Sequence, residues 1–311
     1  MKHVSAHSHP PGVNECSYVL VTAVHNEEES IGSTIDSVLR QTDPPDVWVI
    51  ISDSSTDGTD SVIRDRESTC RFIKYIRLER SDSGRNFAHK VNALRVGRDF
   101  LKDREYKFIG ILDGDISLES DYYEELFKKF VENERLGIAG GYVYEKQGTQ
   151  WIPRPFNRVI SVPGGIQVFR RECYEDVGGL VPLETGGEDW CAEIMARMKG
   201  WQVRSFPELK VLHLKRTATA DGILRGRYRL GLMDQALGSH PLFEFVKCSL
   251  RIREKPFVIG SLVRFAGFLS GYFRRRKTRM PDDFVRYLRH EQTERLHRAM
   301  KGFFLKSSDH Y

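Results

Sequence analysis

The sequence predicts an α/β fold, a mostly parallel sheet with helices on both faces, followed by a helical C-terminal extension. Three observations carry that expectation. Apolar, β-branched runs of strand length alternate with helical-period segments through the first half of the chain. Acidic residues stand at the ends of two of those runs, at Asp53 and at Asp113 and Asp115. Beyond about residue 220 the strand signal stops and helical segments follow one another.

The elements follow in order. Tyr18–Val24 is an apolar run and reads as a strand. Glu27–Arg40 carries Ile31, Ile35, Val38 and Leu39 on one helical face and is stopped by Asp43-Pro44-Pro45. Val47–Ile51 is a second buried strand, closed by Ser52-Asp53, and Thr56-Asp57-Gly58-Thr59 turns the chain into a helix. Phe72–Leu78 is a third strand. Arg85–Leu101 is a helix with Phe87, Val91, Leu94 and Phe100 as core candidates. Phe108–Leu112 is a fourth strand running into Asp113-Gly114-Asp115, followed by a helix over Asp121–Val131 and a strand over Ile138–Tyr144. Ile223–Leu237, Leu242–Arg253, Phe257–Phe273 and Phe284–Met300 read as helices. In parallel sheets of this kind ligands sit at the carboxyl ends of the strands, where the strand order reverses. That rule puts Asp53, Asp113 and Asp115 on one working edge.

Apolar residues make up 40% of the 311 positions and charged residues 29%, which excludes a disordered, collagenous or low-complexity chain. The five cysteines are scattered and form no C-x-x-C pair, so they read as core thiols of a reducing compartment, not as a disulfide frame or zinc site. Met1–Pro11 has no apolar run and is read as part of a mobile leader over residues 1–16, not as a signal peptide; His3, His7 and His9 are assigned no metal there. The net charge of +5 is uneven. Residues 251–311 hold 15 Lys/Arg against 6 Asp/Glu, leaving 33 against 37 before them. A basic tail of this kind points to a polyanionic surface.

Three features carry chemistry. Asp113-Gly114-Asp115 places two carboxylates just past a buried strand. At about 4 Å such a pair costs about 4 kcal/mol at an effective dielectric near 20, and a divalent cation relieves it by taking one or two carboxylates plus substrate phosphates. A plain polar turn is the competing reading. In Ser52–Thr59, residues Ser54 to Asp57 suit the start of the next helix, whereas Asp53 closes the strand, is harder to explain as a cap, and reads as an acceptor of hydrogen bonds from a base or ribose. Gly186-Gly187-Glu188-Asp189-Trp190 sets an acidic pair at a helix start. A helix N-terminus favours ionised carboxylates, and such a group in a cleft serves as a general base. Charge complementarity to the helix alone explains the pair equally well. Trp190 reads as a sugar platform or as core.

Taken together these pieces resemble the family-two inverting glycosyltransferases, which have the GT-A fold, a Rossmann-related nucleotide-sugar fold. The matching segments are Val24–Ile31, Ser52–Thr59, Lys90-Val91-Asn92-Ala93-Leu94, Asp113-Gly114-Asp115, Val177–Leu180, Gly187-Glu188-Asp189 and Pro207 to His213, over about residues 17–215. The resemblance implies a GT-A domain over 17–219 and a basic helical extension over 220–311 packed on it. It implies that Glu27 and Asp53 hold base and ribose, Lys90 lies near the donor, and Asp113 faces ribose and metal. Asp115 is then the main metal ligand and His213 completes the metal or diphosphate site. Asp189 becomes the catalytic base, with Glu188 orienting it or the acceptor. The implied cofactors are Mn²⁺ or Mg²⁺ and a nucleotide-sugar donor, UDP-sugar being the family's commonest. The implied activity is sugar transfer with inversion to an acceptor hydroxyl of a glycan or lipid-linked acceptor, in cell-surface glycan or polysaccharide synthesis.

The chain departs from the pattern at Ala23, where the family usually has proline, and at Ser52, where it usually has an acid. It lacks the Q-x-x-R-W of processive synthases and has Arg225-Gly226-Arg227-Tyr228-Arg229 in that region, so single addition is expected. These arginines read as a diphosphate clamp or as a solvated helix face. Phe257–Phe273 is apolar almost all round but shorter than the about 20 residues a span needs, and Arg274-Arg275-Arg276-Lys277 follows it. That suits a peripheral position on the anionic inner face of a membrane through 257–279, in an otherwise cytoplasmic protein; core packing is the other reading. A nucleotidyltransferase would need a Gly-rich phosphate loop after the first strand, and none is present. A non-enzymatic polyanion binder leaves the acidic residues unexplained, and with few aromatics among the tail's basic residues no nucleic-acid partner is expected.

Overall fold

The structure, a computed structural model, describes residues 16–79, 87–155, 157–215, 222–273 and 280–308, with side chains to residue 299. The expected leader up to residue 15 and the basic run Arg274–Lys277 with Arg279 lie outside the described residues.

The strands are β1 Tyr18–Val24, β2 Val47–Asp53, β3 Ile73–Leu78, β4 Phe108–Ile111, β5 Ile116–Leu118, β6 Leu136–Gln147, β7 Gln150–Pro153, β8 Val168–Arg170 and β9 Gln202–His213. The helices are α1 Glu28–Leu39, α2 Thr59–Thr69, α3 Ala88–Phe100, α4 Tyr122–Glu132, α5 Arg171–Asp176, α6 Glu188–Met198, α7 Ile223–Ala236, α8 Pro241–Leu250, α9 Ile259–Phe273 and α10 Asp282–Ser308. One mixed sheet runs β3-β2-β1-β4-β8-β6-β9-β5, with β7 paired to β6.

β3, β2, β1 and β4 are parallel neighbours, and the strand order reverses between β1 and β4. By the general rule for open α/β sheets, that reversal marks the carboxyl ends of these strands as the place for a ligand crevice. Alternation along β1 divides the core. Tyr18 packs at a tilt on Tyr123 and Phe127 of α4, and the register-paired Phe108 stacks on Phe127, with ring centroids 4.7–4.8 Å apart. Val21 and Ile51 meet α3 at Gly97 on the opposite face. Helices therefore cover both faces, and β2 and β4 are buried throughout and β1 at every position but Ala23. Val91 and Leu94 are core residues as expected, but Phe100 is 44% exposed, because it lies off the face of α3 that carries Val91, Leu94 and the fully buried Leu101.

The second half of the sheet departs from a simple alternation. β8 is antiparallel to β4 and to β6, β6 and β9 are parallel, and β5 is antiparallel to β9. This register sets His213 opposite both Ile116 and Glu145, and so brings the end of β9 beside Asp115. A smaller core joins Leu183, Cys191 and Ile194 to Leu237, Met280, Phe284 and Leu288. It packs α10 against α6, the helix that begins with Glu188.

Candidate active site

The carboxyl end of β1 leads into His25-Asn26-Glu27, and that of β2 into Asp53–Thr59. The two turns fasten each other. Asn26, at φ 56°, accepts from the Thr56 N–H at 2.8 Å, Glu27 N–H donates to Thr59 Oγ1 at 2.8 Å, and Glu28 accepts from Gly58 N–H at 2.9 Å. Partial burial works against Asp57, yet hydrogen bonds from Thr59 and from Glu28 N–H hold its carboxyl below the usual range. Ser55, Thr56, Asp57 and Thr59 thus build the turn, while Asp53, buried at the strand end, has its carbonyl oxygen 2.7 Å from His25 Nδ1. The Glu27 carboxylate faces the crevice and takes Lys215 Nζ and Ser30 Oγ, each at 2.6 Å.

The Asp113-Gly114-Asp115 turn is pinned by Thr34 of α1, whose hydroxyl donates to Gly114 O at 2.9 Å and accepts from Ile116 N–H at 3.1 Å. Its two carboxylates diverge. Asp113 pairs with Lys90 Nζ at 2.6 Å, and Asp115 Oδ2 lies 3.1 Å from His213 Nε2. His213 Nδ1 is 3.6 Å from Glu145. Burial alone would discharge the imidazole, but the bond to Asp115 and the charge of Glu145 raise its affinity for a proton. The expected metal set of Asp113, Asp115 and His213 is therefore not gathered: Asp113 is turned to Lys90. Among the described residues no three His, Cys, Asp or Glu side chains surround a common point.

Glu188 and Asp189 open α6 after Gly187, which adopts φ 95°. Asp189 Oδ2 accepts from Gly164 N–H at 3.1 Å and Oδ1 from Trp190 N–H at 2.8 Å. Burial and then repulsion by Asp189 push the Glu188 carboxyl up. Burial works to discharge Lys90, but Asp113, Glu188 and Asp189 together keep its ammonium charged. These four groups, from α3, the end of β4 and the start of α6, form one electrostatic unit.

The residues that join them carried no functional expectation from sequence. Gly164 and Gly165 form a single turn between Asp113 and Asp189: Gly165 O accepts from Asp113 N–H at 2.9 Å, and a Cβ at Gly165 would strike the Asp113 carboxylate. Glu193, one turn along α6 from Asp189 and 1% exposed, anchors the other end of this loop. It accepts from Val162 N–H at 2.6 Å and from the Ser161 hydroxyl at 3.1 Å, and burial pushes its carboxyl up to about 8. Pro163-Gly164-Gly165 is a turn signal legible in sequence; Lys215, distant in the chain from Glu27, has none.

Other expectations resolve simply. Trp190 packs against the smaller core. Arg227 pairs with Glu254 at 2.9 Å, and Arg229 stacks on Phe87 with its guanidinium 4.3 Å from the ring centre, so neither forms an open clamp. A cavity of 230 Å³ lined by Lys107, Phe130, Val131, Glu134 and Arg170 opens at the amino end of β4, opposite the crevice, and contains none of these residues.

Sheet order, reversal point and carboxylates at one edge are those expected of a GT-A nucleotide-sugar fold. The description Glycosyl transferase family 2 matches residues 19–181, more than half of the chain, and the chain belongs to that family. Poly-beta-1,6-N-acetyl-D-glucosamine synthase of Staphylococcus epidermidis is 31% identical over 119 residues, 38% of this chain and 26% of the relative. The putative teichuronic acid biosynthesis glycosyltransferase TuaG of Bacillus subtilis is 24% identical over 145 residues, 46% of this chain and 52% of the relative. The chain thus spans about a quarter to a half of these relatives. Among solved structures, S. aureus TarS 1-349 with UDP-GlcNAc aligns with a TM-score of 0.51 at 14% identity, over 83% of this chain and 73% of that one. Mannosyltransferase PcManGT from Pyrobaculum calidifontis, with GDP-Man and Mn²⁺, aligns with a TM-score of 0.52 at 14% identity, over 92% and 82%. At that identity the structural likeness speaks for the fold.

Proposed function

We propose that this glycosyltransferase moves one sugar, with inversion, from a nucleoside-diphosphate sugar to an acceptor hydroxyl, and that it works with a divalent cation. The observation that carries this is the convergence of Lys90, Asp113, Glu188 and Asp189 at the sheet edge where Asp53 and Glu27 also end. In this reading the base and ribose lie against Asp53 and Glu27, and Asp113, fixed by Lys90, takes the ribose side of the donor. The diphosphate faces Lys90 and the end of β9.

Asp115 and His213 fit a cation: a carboxylate oxygen and an imidazole nitrogen 3.1 Å apart are the donor pair of an Mn²⁺-type site. With two protein ligands, the other positions fall to phosphate oxygens and water. When bound, the ion offsets negative charge on the leaving diphosphate. Two solved structures of this fold that hold a nucleotide or nucleotide sugar with Mn²⁺ support the presence of a divalent cation with the donor.

Asp189, oriented by Gly164 N–H, takes the proton of the acceptor hydroxyl. The freed oxygen attacks the anomeric carbon from the face opposite the nucleotide, which inverts that centre. Glu188, its carboxyl raised by burial and by Asp189, is the group expected to orient the acceptor. The acceptor is a glycan or lipid-linked glycan of cell-surface or polysaccharide synthesis, consistent with the named activities of the relatives. The helices after residue 220 are an extension packed on the catalytic part, joined through α6 and α10.

The test has two parts. A thermal-shift panel of UDP, GDP, TDP and CDP with Mn²⁺ or Mg²⁺ identifies the donor nucleotide through stabilisation by mass action. With the matching sugar donor, Asp189→Asn is expected to lower turnover by 10²-fold or more while nucleotide-dependent stabilisation persists. Unchanged turnover would overturn the assignment of the base.

A further inference from the structure

Helix α9 has its polarity reversed. Its buried side consists of Gly260, Arg264, Gly267, Phe268 and Gly271, and its open side carries Ile259, Leu262, Leu269 and Phe273. Leu262 is 63% exposed and Phe273 85%, whereas Arg264 is 4% exposed. At 100° per residue the four open apolar side chains fall within one quadrant of the helix.

The inward face explains the arrangement. Arg264 pairs with Asp234 of α7 and, at 2.9 Å, with Glu244 of α8. The glycines bring the α7 and α9 backbones into contact: a Cβ at Gly267 would strike Tyr228 O, and one at Gly231 would strike Arg264 O. Small residues at a helix crossing, an ionised side chain turned inward and aliphatics turned outward are what hydrocarbon, not water, selects on the outer side. Phe245 of α8, 55% exposed, extends the patch and meets Phe265 edge-on at 5.9 Å.

Charge names the occupant. Apart from the inward Arg264, residues 251–279 hold eight Lys or Arg against the single acid Glu254. A second copy of this chain would bring the same positive charge to the face; an anionic bilayer complements it. Fifteen residues of α9 span about 22 Å, short of the about 30 Å hydrocarbon core, and no described helix is long and apolar enough to cross a membrane.

We propose that the α8–α9 face lies in the plane of an anionic phospholipid surface, with Ile259, Leu262, Leu269 and Phe273 among the acyl chains and the exposed Arg253 and Lys255 before α9 on headgroup phosphates. This deepens the proposed function by fixing where a lipid-linked or surface glycan acceptor is met. It is tested without sugar transfer, so that either reading can fail alone.

The experiment is flotation of the full chain with phosphatidylglycerol and with phosphatidylcholine vesicles. The wild-type chain is expected to float with the first and far less with the second. Leu262→Glu with Phe273→Glu is expected to lower the partition coefficient at least about tenfold, about 1.4 kcal/mol, with an unchanged circular-dichroism melt. Leu269→Gln provides a milder second variant, expected to lower partition in the same direction should the double variant fold poorly. Equal flotation of variants and wild type, no flotation of the wild type, or equal flotation on both lipids would overturn the proposal. So would a lipid-free dimer that the variants dissolve, because the face would then be occupied by a second copy.

Discussion

Replacing Arg264 by methionine tests how the C-terminal helices are held. Arg264 and Lys247 neutralise Asp234 and Glu244, two carboxylates that are 1% and 0% exposed; Lys247 reaches them at 2.9 and 2.8 Å. Arg264→Met keeps the aliphatic volume but leaves two buried carboxylates sharing one ammonium. Breaking such a group by removing one partner costs about 3–5 kcal/mol, against a total stability on the order of 5–15 kcal/mol. The assay is urea unfolding followed by circular dichroism, with hydrogen exchange of the amides over 223–273 to isolate the local opening. The exchange-competent population there is expected to rise about 10³-fold, at about 1.4 kcal/mol per tenfold. Adding Asp234→Asn removes the surplus carboxylate, leaves Glu244 paired with Lys247 at 2.8 Å, and should recover about 2 kcal/mol or more. Burial disfavours the charged form of Asp234, but Lys247 and Arg264 outweigh it and lower its folded pKa. Its contribution is therefore present above the unfolded carboxylate value of about 3.9 and is lost as pH falls through the lowered folded value. The gap between wild type and variant should close on acidification. A loss below about 1 kcal/mol for Arg264→Met, or an Arg264→Met, Asp234→Asn double variant no better than the single one, would refute the reasoning.

Other outcomes follow from the site. Glu193→Gln should flatten the pH dependence of stability: the raised carboxyl stabilises below the unfolded value near 4.5 and is lost as pH rises through about 8, so parallel urea midpoints for wild type and variant between pH 5 and 9 would contradict it. Gly165→Ala forces a Cβ against Asp113 and should lower kcat on the order of 10²-fold by misplacement, with the thermal midpoint little changed; wild-type kcat would dismiss the loop's role. Lys90→Met removes the cation that favours ionised Glu188, so the acidic limb of the kcat/KM profile should move to higher pH, and an unmoved limb would detach Lys90 from the acid pair.

The sequence by itself determined the parallel half of the sheet. Tyr18–Val24 is a strand at the residues where periodicity placed it, and the strand at Val47 runs on to Asp53. Continuous apolar runs have one economical solution, burial between two helical layers, and the carboxylates past their ends then fall on one edge. The antiparallel strands β5 and β8, three residues each, were not legible, because their pairing is set by distant partners and not by local pattern. Only the tertiary structure turned Asp113 toward Lys90 and Asp115 toward His213, and only it placed Gly164, Gly165, Glu193 and Lys215 among the chemistry. It also decided that Arg264 faces inward and Leu262 outward, a choice that periodicity leaves open, since the same apolar spacing serves a helix that packs against a core and one that packs against lipid.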